Sequence, residues 1–78
     1  MKGYIARDED GRLFLYRHKP VRLNYVGSWT DEQSPRYERV HEDDYEEGYF
    51  KNVTWDGEPS EVEFSHDPVD GWLNVEMV

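Results

Sequence analysis

Tyr4-Ile5-Ala6-Arg7-Asp8-Glu9-Asp10-Gly11-Arg12-Leu13-Phe14-Leu15-Tyr16-Arg17 is the stretch on which the reading of this chain turns. Two runs of β-favouring residues flank Asp8-Glu9-Asp10-Gly11, and a glycine closing an acidic turn supplies the positive φ on which such a hairpin turn ends. The segment therefore predicts a β-hairpin. Its second arm, Leu13-Phe14-Leu15-Tyr16, is apolar at every position, so neither side suits water. A strand of that kind belongs inside a sheet with both faces covered.

Downstream, Lys19-Pro20 breaks pairing, because proline lacks the amide donor and restricts its predecessor. Val21, Leu23 and Tyr25 then alternate with Arg22 and Asn24, a period of two that predicts a third strand with the apolar set inward. Gly27 and Ser28 end or bend it, and residues 30–35 read as a polar connection. Between 35 and 50, Ser34-Pro35 could open a helix and Gly48 close it, with Tyr37, His41, Tyr45 and Tyr49 at intervals of four. Against it, Glu38 with Glu42, Glu42 with Glu46 and Asp43 with Glu47 repel at the same spacing, by roughly 0.2–0.5 kcal/mol each. The repulsion favours a short strand over 37–40 and one helical turn over 43–47.

The last third is punctuated by turns. Asp56-Gly57-Glu58-Pro59 separates β-prone residues 52–55 from 61–65, and Asp67-Pro68-Val69-Asp70-Gly71 precedes a final strand on which Leu73, Val75 and Met77 share a face. The expected fold is mainly β, one domain over residues 1–78. It is a small antiparallel meander or SH3-like half-closed barrel of five to seven strands, with at most one short helix. An α+β fold with a helix near 35–47 is the alternative.

Charge is sorted along the chain. Residues 1–30 hold six of the nine Lys and Arg but three of the eighteen acids, so the net −9 divides into +3 and −12. A net negative chain repels phosphate backbones, so direct nucleic-acid binding is not expected and a basic partner is. There is no cysteine, and three separated histidines make no zinc framework. Stability, on the order of 3–5 kcal/mol for one core of this size, must come from packing, for which twelve aromatic residues are available. No apolar run is long enough for a membrane span, and the opening residues reach charge before a signal-peptide core could form, so the expected location is the cytoplasm.

The candidate site is the acidic cluster Glu42, Asp43, Asp44, Glu46 and Glu47, with Tyr45 and Tyr49 as aromatic anchors for a basic protein surface. The cluster lacks the graded ligand spacing and glycine of a calcium loop, so neither metal nor cofactor is expected. None of Ser28, Ser34, Ser60 or Ser65 sits in a nucleophile elbow beside His18, His41 or His66, so no catalytic residue is assigned and the chain is read as a non-enzyme. Trp29, Trp55 and Trp72 could stack sugars, with Trp72 facing away from Leu73, Val75 and Met77; core or rim packing is the plainer role for all three. Arg12, Arg17, Lys19 and Arg22 read as a charged sheet edge or as internal partners of the acidic half.

Residues 4–16, Lys19-Pro20, Trp29 and Val53-Thr54-Trp55-Asp56-Gly57-Glu58-Pro59 through Glu61-Val62-Glu63 resemble a group of small uncharacterised proteins of gut Bacteroidales, often encoded near phage or mobile-element genes. Residues 34–50 fit that pattern poorly. The resemblance implies a mobile-element accessory protein and carries over no active residues. Three readings follow: an acidic binding domain for a basic protein, an inhibitor mimicking nucleic acid, and a carbohydrate-binding module using exposed tryptophan. Like charges crowded over 42–47 oppose compaction, so added salt is expected to raise the melting temperature. A flat or falling dependence in a thermal melt would mean that the first half already neutralises the cluster.

Overall fold

Residues 1–33 and 38–78 are described by the computed structural model of the chain. Among the described residues the strands are β1 (Lys2–Arg7), β2 (Leu13–Tyr16), β3 (Val21–Leu23), β4 (Ser28–Thr30), β5 (Glu38–Val40), β6 (Ser60–His66) and β7 (Leu73–Met77), with one 3-10 turn at Glu42–Asp44. Strands β5-β2-β1-β6-β7 form one antiparallel sheet, and β3 and β4 pair as a separate hairpin. The five-stranded sheet curls into a half-barrel. His66 Nε2 on β6 meets Glu38 Oε1 on β5 at 2.9 Å on the concave side.

The opening hairpin forms as its sequence predicts. Gly11 takes φ +96° and its amide donates to the Asp8 carbonyl at 3.0 Å, while Tyr4 pairs with Tyr16 and Ile5 with Leu15. The all-apolar arm is covered on both sides. Leu13 and Leu15 join Ile5, Val40, Val62, Phe64, Val75, Phe50 and Val53 in the concave core. On the convex side Tyr16 packs with Ala6 and Trp29, flanked by Phe14 and Trp55. Residues 61–65 lie within β6, and Gly71 turns the chain into β7 with φ +77°.

Three local expectations are corrected. The third strand stops at Leu23, because the amides of Val26 and Gly27 both return to the Leu23 carbonyl (3.2 and 3.0 Å). Tyr25 is left 84% exposed at the tip of that turn, and Val21 is also open to solvent. The residue directed inward is Arg22, whose guanidinium lies 4.8 Å from the Trp29 ring centroid and 5.3 Å from that of Trp55. Ser28, expected to end or bend the third strand, and Thr30, expected to open a polar connection, lie with Trp29 in β4.

Residues 52–55 are not a strand. The chain coils through successive turns, Lys51 to Gly48 and Val53 to Phe50, which drop Phe50 and Val53 together into the concave core. No sheet edge is needed, because Arg7 donates to the carbonyls of Val53 (2.7 Å) and Phe50 (3.2 Å). Among the described residues there is no α-helix; the helical turn falls at 42–44, one residue ahead of its expected start. The expected helix opening at Ser34-Pro35 and the strand start at Tyr37 lie outside the described residues.

Gly3 shows how closely β1 approaches its neighbours. A Cβ there would sit 2.7 Å from the Tyr16 carbonyl oxygen and 2.9 Å from Phe64 Cε1. Because the first of those contacts is backbone, Gly3→Ala is expected to lower unfolding free energy by about 1–3 kcal/mol, read from urea denaturation.

Candidate functional site

The acidic cluster is split by its surroundings. Glu42, at the start of the 3-10 turn, is gripped by Arg7: Nη1 donates to Oε1 and Nη2 to Oε2, each at 3.0 Å. That paired hydrogen bond, more than the charge alone, holds the Glu42 carboxyl below its ordinary value against the opposing effect of burial. Asp43, Asp44, Glu46 and Glu47 remain exposed, and among the described residues none of the four pairs with a cation.

Tyr45 and Tyr49 are half-buried. Their rings stack at 5.7 Å and meet Phe50 edge-on at 4.9 and 4.8 Å. The Tyr45 hydroxyl donates to the Leu73 carbonyl at 2.9 Å, and that of Tyr49 donates to the Val75 carbonyl at 3.1 Å while accepting the Met77 amide at 3.3 Å. Burial raises the Tyr45 phenol above its usual range. The two rings thus brace the 3-10 turn and the coil after it against β7, and their hydroxyls are engaged within the chain.

That bracing brings together residues distant in sequence. Asp44 faces the β6–β7 turn across an open hollow of about 430 Å³, which is also lined by Asp67, Asp70, Trp72 and Asn74. Among the described residues no Lys, Arg or His lines it. The turn is hydrogen-bonded within itself: Asp67 Oδ1 accepts the amides of Val69 (2.8 Å) and Asp70 (3.3 Å), and Asp70 Oδ1 accepts that of Trp72 (2.9 Å). Each of those aspartates has a second oxygen, and among the described residues neither second oxygen accepts a hydrogen bond. A smaller hollow of about 210 Å³ continues from it along β5; it shares Asp44, Asp70 and Trp72 and is also lined by Arg39 and His41.

Sequence reasoning treated Asp67 and Asp70 as turn residues only. The available signal was Trp72 itself: a tryptophan between a tight turn and a strand whose inward face is taken by Leu73, Val75 and Met77 has nowhere inside to go. Trp72 is 54% exposed, whereas Trp29 is buried and meets Trp55 edge-on at 5.8 Å. The three tryptophans therefore share no platform. Trp29 is held further by its indole N–H, which donates to the Arg7 carbonyl at 2.9 Å.

Other candidates are dispersed. Glu61, Glu63 and Glu76 are exposed on the convex face, with Glu63 directly opposite Glu76. His18 Nδ1 lies 3.1 Å from Asp31 Oδ2, a pair separate from His66 and Glu38. Arg12 pairs with Asp10 at 3.4 Å and Lys19 with Glu58 at 3.8 Å, while Arg22 donates to the Trp55 and Gly57 carbonyls, each at 2.8 Å. Among the described residues no three His, Asp or Glu side chains assemble a metal-holding group, and no helix is long and apolar enough to cross a membrane. Compared with family models, curated proteins and solved structures, the chain matches none.

Because the folded-state value of Glu42 lies below the unfolded one, its bridge contributes stability in full above about pH 4.3 and loses it as pH falls through the lowered value. Glu42→Gln is therefore expected to be less stable than the native chain at neutral pH. The gap should close as acid protonates Glu42, measured by denaturant unfolding at a series of pH values.

Proposed function

We propose that this protein is a non-enzymatic binding domain that engages a basic protein partner through its acidic face. The observation that carries the reading is the convergence of Asp44 with Asp67 and Asp70 around an exposed tryptophan, in a hollow that no Lys, Arg or His lines among the described residues, Arg39 and His41 lining only the smaller hollow beside it. Asp43, Glu46 and Glu47 extend the same negative field around the coil, where low-dielectric walls focus it and speed encounter with a positive surface. Glu42 belongs to the scaffold of this face because Arg7 neutralises it. Tyr45 and Tyr49 serve by positioning Asp44 opposite the β6–β7 turn.

The nucleic-acid-mimic reading would place the weight on carboxylates set in a row over the strands. The sugar-platform reading would need tryptophans side by side. A hollow with acids on two walls and one open ring fits a cationic protrusion better than either. Reversing the field is the test. The variant Asp43→Lys/Asp44→Lys/Glu46→Lys/Glu47→Lys should lose at least ten-fold in capture of the basic proteins that the native chain retains from extract of its source cell. Retention by the native chain should fall as ionic strength rises through the physiological range. Capture that is indifferent to both changes would remove electrostatics from the account.

A further inference from the structure

Trp72 is a large apolar ring left facing water, and Val69 on the same turn is 93% exposed. Among the described residues the Trp72 ring stacks on no other aromatic side chain and no cation. An exposed tryptophan rimmed by polar groups marks a contact surface, since burial of such a ring is what association gains most from. The rim here carries acids on both walls, with Arg39 and His41 farther along β5 in the smaller hollow that shares Asp44, Asp70 and Trp72. Asp44 comes from the 3-10 turn, and Asp67 and Asp70 come from the turn that carries Trp72.

We infer that the hollow between the 3-10 turn and the β6–β7 turn receives a single arginine side chain of the basic partner, its guanidinium stacked on Trp72 and hydrogen-bonded to Asp44, Asp67 and Asp70. The inference rests on the acidic-face reading and names its point of contact. Arginine fits better than lysine for two reasons. A planar guanidinium stacks on an indole and presents five donors in a fixed fork, whereas an ammonium is compact and more strongly hydrated. The acceptors are also held in place beforehand: Asp67 and Asp70 each spend Oδ1 on the turn's own amides and keep Oδ2 free among the described residues. Little side-chain freedom is then lost on binding. The chain uses the same chemistry internally, where the Arg22 guanidinium lies over Trp29 and Trp55 and donates to two carbonyl oxygens.

The test titrates the full ¹⁵N-labelled chain with an acetylated tetra-arginine peptide, a matching tetra-lysine peptide and a tetra-glutamate control, following the three indole N–H resonances. Tetra-arginine should move the Trp72 indole and leave that of Trp29, which is locked on the Arg7 carbonyl. Tetra-lysine should bind several-fold more weakly and tetra-glutamate not at all. Trp72→Ala removes an exposed ring and should weaken tetra-arginine binding about five-fold, the size of a partly exposed cation–π contact. Asp44→Asn/Asp70→Asn keeps the turn's acceptor oxygens and should weaken it comparably. An unmoved Trp72 indole in the bound state, an unaffected Trp72→Ala variant, or equal binding of the lysine peptide would each overturn the arginine pocket. So would failure of every cationic peptide to bind. None of these results decides the acidic-face reading, which stands or falls with the charge-reversal experiment above.

Discussion

The guanidinium of Arg7 holds the two halves of this structure in register. Arginine has five N–H donors, and here all five are spent: Nε on the Val53 carbonyl, Nη1 on Gly11 and Glu42, Nη2 on Glu42 and Phe50. A single residue of β1 thereby ties its own hairpin turn to the 3-10 turn and to the coil that fills the concave core. Without it, the Val53 carbonyl would be left in a partly buried site with no strand beside it, at a cost of about 1–3 kcal/mol, while the Phe50 carbonyl would keep only the Val53 amide. The position of Asp44, and with it the acidic hollow, depends on that anchoring.

The features that were legible in the sequence are those set by neighbours along the chain. Gly11 and Gly71 mark the two main turns by their conformation, and the unbroken apolar run at 13–16 reveals a strand with two dry sides. What was not legible depends on partners far away. Arg22 points inward because Trp29, Trp55 and two carbonyls 33 and 35 residues on give its charge a place, so the alternation expected over 21–25 ends at Leu23 with Arg22 inside and Val21 outside. Residues 52–55 carry β-favouring side chains, yet they coil because Arg7, Arg22 and the Gly57 amide, and not a neighbouring strand, satisfy the carbonyls of Val53, Trp55 and Thr54.

The candidate site divides along the same line. Its acidic run stands out in composition, but composition does not show that Glu42 is neutralised by an arginine 35 residues earlier. Nor does it show that Asp44 meets Asp67 and Asp70, a meeting produced by the curl of the sheet and by two tyrosines laid against β7. The segregation of charge seen along the chain survives folding only in part. Arg7 and Lys19 reach across to Glu42 and Glu58, while Asp43, Asp44, Glu46 and Glu47 stay open to solvent.

β7 is the last strand of its sheet, and a strand in that position ordinarily offers its outward amides and carbonyls as a template for another chain. Here the hydroxyls of Tyr45 and Tyr49 already occupy the carbonyls of Leu73 and Val75 and the amide of Met77. An incoming strand would have to strip away those phenols before it could form its first rung. Side chains that shape the hollow thus double as a guard against runaway self-assembly, and a small acidic protein can keep a flank open for recognition without inviting its own copies to polymerise.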